Sequence, residues 1–244
     1  MYEKTDWCAI VPLANEEADF DPFVKALGDV MEITEGGKVY FVVDTVSKDR
    51  TRELCDELAA RDSRFQTVWS PDNRNVVDAY LAGFRAALQG GHEIIIEMDA
   101  GLSHDPRAIP MFLRVLNEGN ECAFGSRFIN GGSVTDSSWK RWFLSRVGTL
   151  LANGMLGTRL KDMTSGYQGF HRETLQKLVD YSLLSKAHFY QTEVRFLLRK
   201  RRLMEVPIHY QAPSPRVSQN AIADSFRVLF HYFRLRLALR APSI

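Results

Sequence analysis

The sequence has no long uninterrupted apolar run and no excess of charge of either sign. A membrane-spanning helix needs about 20 consecutive apolar residues, whereas even the apolar carboxyl-terminal segment carries an Arg or His every few positions. The 31 Lys and Arg side chains are balanced by 30 Asp and Glu, which leaves a formal net charge of +1. These two absences argue against a membrane-spanning segment and against a nucleic-acid-binding protein.

Paired cysteines and a secretion signal are also missing. Cys8, Cys55 and Cys122 lie far apart without metal-ligand spacing, which predicts free thiols in a reducing compartment. The amino terminus has only a short apolar run after two acidic residues and lacks the basic flank of a signal peptide. We therefore expect a cytoplasmic protein, either soluble or peripheral to a membrane.

The sequence does contain a regular alternation of β-branched apolar runs with helical periodicity. Segments such as Asp21–Glu32, Asp49–Arg61 and Val76–Leu88 repeat apolar residues every three or four positions. This alternation predicts an α/β fold with a mainly parallel central sheet and helices on both faces. Ligands of such sheets bind at the carboxyl ends of the strands. The predicted strands are Cys8–Leu13, Val39–Val43, Thr67–Trp69, Glu93–Met98 and Glu121–Phe124.

Acidic residues lie at the ends of these strands. Asp44 follows the second strand, where a carboxylate accepts hydrogen bonds from a nucleobase or ribose, or else forms a turn. Glu97 and Asp99 end the fourth run, and carboxylates there suit a divalent cation that bridges them to the phosphates of a nucleotide. Two residues apart on a strand, Glu97 and Asp99 face the same side. Alternatively, Glu97 points into a covered layer and pairs with a Lys or Arg.

Seven short motifs together resemble a known family. In order and spacing the chain is similar to the family 2 glycosyltransferases with the GT-A fold, especially the polyprenyl-phosphate glycosyltransferases of the dolichol-phosphate mannose synthase type. The similarity covers about residues 8–210. The motifs are VPLANEE, VVDTVSKDRT, EMDAGLSHDP, GSRFINGG, WKRWFLSR, DMTSGYQGF and EVPI.

The resemblance implies a nucleotide-sugar donor site. Pro12, Asn15, Glu16 and Asp44 correspond to nucleoside-binding positions of the family.

Asp99 corresponds to the first Asp of the family's DxD metal motif, but the second Asp is Gly101 here. A Mg²⁺ or Mn²⁺ ion would then complete its ligands with Glu97, Ser103, His104 or water, or would bind weakly. In the remaining alternative, basic residues neutralise the diphosphate instead.

The resemblance also implies an acceptor site for a lipid phosphate, formed by Arg127, Arg141 and Ser145. Arg141 and Ser145 are four residues apart and share one face of a predicted helix. Arginine suits this role because its planar guanidinium makes two charge-assisted hydrogen bonds to a phosphate. The alternative is that these basic residues only solvate the helix.

The reaction implied by the resemblance is an inverting in-line displacement on the anomeric carbon of the sugar. A polyprenyl-phosphate acceptor is already anionic and needs no strong general base. A hydroxyl of a cell-surface or lipid-linked saccharide needs one, and Asp162 and Glu193 are then the candidate catalytic residues. A catalytically weak nucleotide-sugar-binding protein is the alternative of another class.

The chain divides into a GT-A domain over residues 1–210 and a carboxyl-terminal part over residues 211–244. The second part begins with a Pro- and Ser-containing linker and continues as a basic amphipathic helix over Ala221–Arg240. Such a helix binds a membrane surface through its apolar face and its arginines, here at the cytoplasmic face. Packing on the domain's own core or on a second subunit is the alternative, and the oligomeric state is open. The predicted apolar stripe is Ile222, Phe226, Leu229, Phe230, Phe233 and Leu237.

Overall fold

The structure is a computed structural model that describes residues 5–135, 139–211 and 219–244. Among these residues, seven strands form one sheet and two short strands pair separately. The strands are β1 Trp7–Leu13, β2 Lys38–Val43, β3 Phe65–Trp69, β4 Ile94–Glu97, β5 Cys122–Ser126, β6 Ser133–Thr135, β7 Gln168–His171, β8 Leu203–Pro207 and β9 His209–Gln211.

Helices alternate with the strands along the chain. They are α1 Phe20–Ile33, α2 Thr51–Arg61, α3 Val76–Gly90, α4 Ile109–Asn117, α5 Trp139–Leu156, α6 Arg172–Asp180, α7 Tyr190–Leu197 and α8 Gln219–Leu237. A short 3₁₀ turn, Pro106–Ala108, precedes α4.

The main sheet has the strand order β3-β2-β1-β4-β7-β5-β8. All of its neighbouring pairs are parallel except those of β7, which runs antiparallel to β4 and β5. Because β2 and β3 lie on one side of β1 and β4 lies on the other, the strand order reverses at β1. Ligands of open α/β sheets bind beside such a reversal. The predicted mainly parallel sheet is confirmed.

Strands β6 to β9 add to the five predicted strands, and β7 is the one that lies in the interior of the main sheet. Its sequence begins with Gln168, contains Gly169 and ends with His171, so it lacks the β-branched apolar pattern that identifies a strand. Gly169 packs closely here, since a Cβ would lie 3.1 Å from side-chain atoms of Leu116 and Phe112. Long-range packing therefore forms this strand rather than local propensity.

Two hydrophobic cores cover the two faces of the sheet, as predicted. Alternate residues of β1 divide between them, with Ala9 and Val11 in one core and Cys8 and Ile10 in the other. The first core packs α1, α2 and α4 against the sheet, and the second packs α3, α6, α7 and part of α8. All three cysteines are buried free thiols.

Helix α8 packs on the second core along one side and exposes apolar side chains along another. Val228, Leu229 and Tyr232 are buried, whereas Phe226 and Phe230 are about half exposed. The predicted stripe thus divides, with only Leu229 fully in the core. Residues 212–218, most of the predicted linker, lie outside the described residues, and the proposed division at residue 210 stays a prediction. No helix in the described ranges is long and apolar enough to cross a membrane.

The packing of α3 on β1 makes a testable prediction. A Cβ at Gly83 would overlap Ile10 Cγ2 and lie 2.9 Å from Val42 Cγ2 in the second core. We expect Gly83→Ala to lower the free energy of unfolding by about 1–3 kcal/mol, as over-packing does. Gly28→Ala in α1 is the control, because its Cβ would meet nothing within 4 Å and helix propensity then favours Ala by about 1 kcal/mol. Urea unfolding measures the free energy of unfolding of both variants. Equal values for Gly83→Ala and Gly28→Ala would contradict this packing.

Candidate active site

A cleft of about 490 Å³ opens at the carboxyl ends of β1, β2 and β4. Four of the predicted site residues line it, namely Pro12, Glu16, Asp44 and Asp99. Pro12 lies near the end of β1 and the other three lie in loops that follow parallel strands, so their convergence results from the strand order. The cleft therefore lies where the sheet topology places ligand binding.

Asp99 is held in the cleft by contacts on both sides. The Tyr80 hydroxyl of α3 donates a 2.6 Å hydrogen bond to Asp99 Oδ1. The backbone N–H of Asp99 donates to His104 Nδ1 at 2.9 Å, so this ring nitrogen carries no proton. Burial lowers the pKa of His104, which keeps the ring neutral. Asp99 thus has a fixed position while Oδ2 is left without a hydrogen-bond donor among the described contacts, 3.6 Å from the His104 ring.

Glu97 lies behind the cleft rather than in it. Its side chain is fully buried, and Gln168 Nε2 donates long hydrogen bonds of 3.3 and 3.4 Å to its two oxygens. Burial raises the pKa of Glu97 to about 8, so the protonated form dominates at neutral pH. The structure thus places Glu97 in the covered layer and not among the residues that line the cleft, and its role as a cation ligand stays a prediction.

Two of the predicted nucleoside-binding residues also organise the loops around the cleft. Asn15 is exposed and has a positive φ of 60°, and its Oδ1 accepts a 2.8 Å hydrogen bond from the Lys48 N–H. Asp44 is half-buried, and its Oδ1 accepts a 2.9 Å hydrogen bond from the Val46 N–H. Asp44 remains on the cleft wall, whereas Asn15 braces the loop and is not among the residues that line the cleft.

Arg127 and Asp162 form a buried bidentate ion pair. Arg127 Nε donates to Asp162 Oδ2 at 2.7 Å, and Nη2 donates to Oδ1 at 2.9 Å and to Thr164 Oγ1 at 2.6 Å. Although burial opposes ionisation, the Arg127 guanidinium lowers the pKa of Asp162 to about 2. Asp162 is therefore ionised, fully paired and a poor proton acceptor at neutral pH.

The Arg127–Asp162 pair lies next to a residue of the cleft wall. The Arg127 guanidinium is 5.4 Å from the ring of Tyr210, which lines the cleft. The loop that carries Asp162 and Thr164 continues to Gly166, which lies close to Asp99. A Cβ added at Gly166 would be 3.5 Å from Asp99 Oδ1. The ion pair thus fixes the loop that forms this side of the site.

The two predicted residues of α5 are described to different extents. Ser145 is half-buried in this helix. Arg141 belongs to the same helix, but its side chain lies outside the described residues. Their role in binding an acceptor phosphate stays a prediction.

Glu193 is completely buried in α7 and fully engaged. Its Oε1 accepts hydrogen bonds from the Leu184 N–H at 2.8 Å and the Tyr232 hydroxyl at 2.6 Å. Its Oε2 accepts a 2.8 Å bond from the Ser185 N–H. Glu193 therefore ties α8 and the segment before α7 together, and it is not among the residues that line the cleft.

The structure adds cleft residues that sequence reasoning did not select. Tyr80 lies on the apolar stripe of α3 and looks like an ordinary core residue in the sequence. Arg74, His188 and Tyr210 come from three separate segments, so no local motif links them. Only the fold brings these side chains to the Asp99 end of the sheet.

The oxygen ligands of the cleft fit a divalent cation that also binds a diphosphate. Asp99 offers Oδ2, and Glu16 lies close to Gly101, where a Cβ would be 2.5 Å from Glu16 Oε2. Within the described residues, no group of three or more His, Cys, Asp and Glu side chains could hold a metal. A magnesium-type site needs only one or two carboxylates when phosphate oxygens and water supply the other ligands.

Comparison with known proteins identifies the family. Residues 8–179 match the family described as glycosyl transferase family 2. The chain belongs to glycosyl transferase family 2. It is 34% identical over 172 residues to the polyprenol monophosphomannose synthase of Mycolicibacterium smegmatis, across 69% of this chain and 65% of that protein. The predicted family is confirmed.

A second relative matches over more of its length. The chain is 30% identical over 203 residues to the undecaprenyl-phosphate mannosyltransferase of Micrococcus luteus, with 82% of each protein covered. The match to the dolichol-phosphate mannosyltransferase of Pyrococcus furiosus is 24% identical and spans 62% of that protein. The chain thus spans less than two thirds of two of these relatives.

Solved structures confirm the predicted GT-A fold. The glucosyl-3-phosphoglycerate synthase of Mycobacterium tuberculosis, in complex with Mn²⁺, UDP-glucose and phosphoglyceric acid, superposes with a TM-score of 0.66. The match is 18% identical and covers 96% of this chain and 79% of that protein.

The buried ion pair predicts a large and pH-dependent effect on stability. We expect Asp162→Asn to cost about 3–5 kcal/mol at pH 7, because it leaves Arg127 buried without its counterion. The folded pKa of Asp162 is about 2, below its ordinary 3.8. The stabilisation is therefore complete above about pH 4 and is lost as the pH falls towards 2.

Denaturant unfolding of wild type and variant at pH 7 and pH 3 measures this effect. The matched control is Asp29→Asn, which removes an exposed pair with Lys25 and costs at most about 1 kcal/mol. The ion pair would be contradicted if Asp162→Asn lost no more free energy of unfolding than Asp29→Asn. A difference in unfolding free energy between Asp162→Asn and wild type that is larger at pH 3 than at pH 7 would also contradict it.

Proposed function

We propose that this chain transfers a sugar from a nucleotide-sugar donor to a polyprenyl-phosphate acceptor, with inversion at the anomeric carbon. The observation that carries the proposal is the fixed Asp99 carboxylate in a cleft at the strand-order reversal of a family 2 chain. The mannosyltransferase relatives, whose names specify polyprenyl phosphates, support the acceptor class.

The donor binds along the cleft. Pro12 and Asp44 lie on the wall at the ends of β1 and β2, where they contact the nucleoside. Asp99 follows β4 and would hold a divalent cation, which would supply positive charge beside the diphosphate. Tyr80 and His104 orient Asp99 through Oδ1 and the backbone N–H and leave Oδ2 for a ligand. The mycobacterial structural neighbour was solved with Mn²⁺ and UDP-glucose, which supports a nucleotide-sugar donor bound with a divalent cation.

The two carboxylates that were predicted as general bases for a hydroxyl acceptor are both engaged in other contacts. A hydroxyl acceptor needs a general base within hydrogen-bonding reach. Asp162 is ion-paired to Arg127, and Glu193 accepts three hydrogen bonds in the core. A phosphate oxygen requires no such base, so orientation and charge stabilisation are sufficient for attack.

Exposed apolar residues on two packed helices support contact with a membrane surface. Helix α5 lies against α8, where Arg236 Nη1 donates to the carbonyls of Gly154 and Met155 at 2.9 and 2.8 Å. Basic side chains of α8 and the segment after it, including Arg234 and Arg240, line a groove along α8. This combination suits the headgroup region of an anionic bilayer at the cytoplasmic face. The exposed apolar residues are Trp142, Phe143, Leu144, Val147, Leu150 and Leu151 of α5 and Ile222, Phe226, Phe230 and Leu237 of α8.

Transfer assays test the proposed reaction. Purified protein is incubated with a panel of GDP- and UDP-sugars, undecaprenyl phosphate and Mn²⁺, Mg²⁺ or chelator. We expect one donor to give a lipid-extractable product with inverted anomeric configuration by NMR. Asp99→Asn should lower kcat by at least about 100-fold, because it removes charge stabilisation of the leaving group.

The control variant is Asp56→Asn, which removes an exposed carboxylate paired with Arg52 on α2. Nucleotide binding without turnover of any donor would instead favour the binding-protein alternative. Transfer only to saccharide hydroxyls would contradict the acceptor class.

Vesicle binding tests the proposed membrane surface. We expect Phe226→Glu combined with Phe230→Glu to lower binding to phosphatidylglycerol vesicles by at least about tenfold, because two half-exposed rings no longer enter the interface. Ile33→Glu is the control, since Ile33 is an exposed apolar residue of α1 on the opposite face of the sheet. Unchanged sedimentation of the double variant with vesicles would contradict this surface.

A further inference from the structure

The position after Asp99 has an unusual local geometry. Gly101 has a positive φ of 64°, a conformation that favours glycine. A Cβ at this position would lie 2.5 Å from Glu16 Oε2 and 3.4 Å from Glu16 Cδ. The Glu16 carboxylate thus occupies the space that any side chain at position 101 would enter. The family resemblance places a carboxylate at this same position.

The loop that carries Glu16 is held firmly against the next loop of the sheet edge. The Glu16 N–H donates to Thr51 Oγ1 at 2.8 Å. On either side of it, the Asn15 N–H donates to Ser47 Oγ at 3.2 Å and the Glu17 N–H donates to Asp49 Oδ2 at 3.0 Å. Three consecutive amides are therefore anchored, which fixes the direction in which the Glu16 side chain leaves the backbone.

Glu16 and Asp99 both line the cleft and bring like charges to its floor. Across the described ranges, neither carboxylate forms an ion pair with a Lys or Arg side chain. The repulsion between two such carboxylates is relieved by a proton on one of them or by a nearby positive charge. A divalent cation supplies it and takes carboxylate oxygens as ligands.

We propose that Glu16 supplies the second carboxylate of the cation site and so replaces the side chain that Gly101 lacks. The cation then lies between the loop after β1 and the loop after β4, with Glu16 and Asp99 as its protein carboxylates. Diphosphate oxygens and water complete its coordination. This assignment rests on the proposed function, since it concerns the cation of that donor site.

Binding of Mn²⁺ without turnover tests the assignment. The loss of the free-Mn²⁺ electron paramagnetic resonance signal measures affinity in the presence of GDP or UDP. We expect Glu16→Gln to weaken Mn²⁺ binding by at least about tenfold, because it removes a charged ligand. Glu17→Gln is the matched control, since the neighbouring Glu17 side chain accepts from the Arg50 N–H and is not among the residues that line the cleft.

A relocation of the carboxylate separates a ligand role from a structural one. Glu16→Ala should lose Mn²⁺ affinity, and Glu16→Ala combined with Gly101→Asp should recover most of it, because the deleted side chain leaves room for the new one. Thermal melting confirms that each variant is folded, and the isosteric Glu16→Gln remains informative if the double variant is not.

The Mn²⁺-binding and sugar-transfer results test the role of Glu16 and the proposed reaction separately. Wild-type Mn²⁺ affinity in Glu16→Gln would overturn the role of Glu16. Sugar transfer by the wild type in excess chelator, without Mn²⁺ binding, would also overturn it while leaving the proposed reaction in place. The expected Mn²⁺ pattern without turnover of any donor would support the cation site and contradict the reaction.

Discussion

The position of Asp99 depends on hydrogen bonds with two side chains that come from different segments of the chain. The Tyr80 hydroxyl on α3 donates to the Asp99 carboxylate, and His104 Nδ1 accepts a hydrogen bond from the Asp99 N–H. Both partners are almost completely buried, so neither moves without disturbing the core. A carboxylate fixed in this way meets a ligand without reorganisation, which is the main source of electrostatic stabilisation in enzymes. The other loops of the cleft are arranged around this point.

Local sequence patterns predict most of the main sheet because β1 to β5 are short apolar runs separated by amphipathic helices. They do not predict β7, where Gln168 and Gly169 interrupt the pattern and the pairing with Ile96 and Glu97 is long-range. The reversal of strand order at β1 likewise depends on which strands pair, so it cannot be predicted from the sequence of any single strand or helix. The alternation therefore predicts the architecture, whereas tertiary packing determines the antiparallel insertion.

The sequence predicts those residues of the candidate site that directly follow a strand. Asp44 and Asp99 follow strands directly, so a parallel sheet brings them to one edge. The sequence does not indicate that Asp162 is neutralised by Arg127 or that Glu193 is enclosed by α8, because those partners are 35 and 39 residues away. The contact between Glu16 and Gly101 is also long-range. Sequence reasoning thus identifies the carboxylates, and the fold decides which of them remain available.

Asp99 is proposed to bind the cation and diphosphate of a nucleotide donor at the reversal of the sheet. Anomalous X-ray diffraction from crystals soaked with Mn²⁺ and a nucleoside diphosphate tests this role. We expect a single Mn²⁺ peak bonded to the Asp99 carboxylate and to the diphosphate, between the ends of β1 and β4. A nucleotide bound away from Asp99, or bound beside it without a cation at saturating Mn²⁺, would contradict this role.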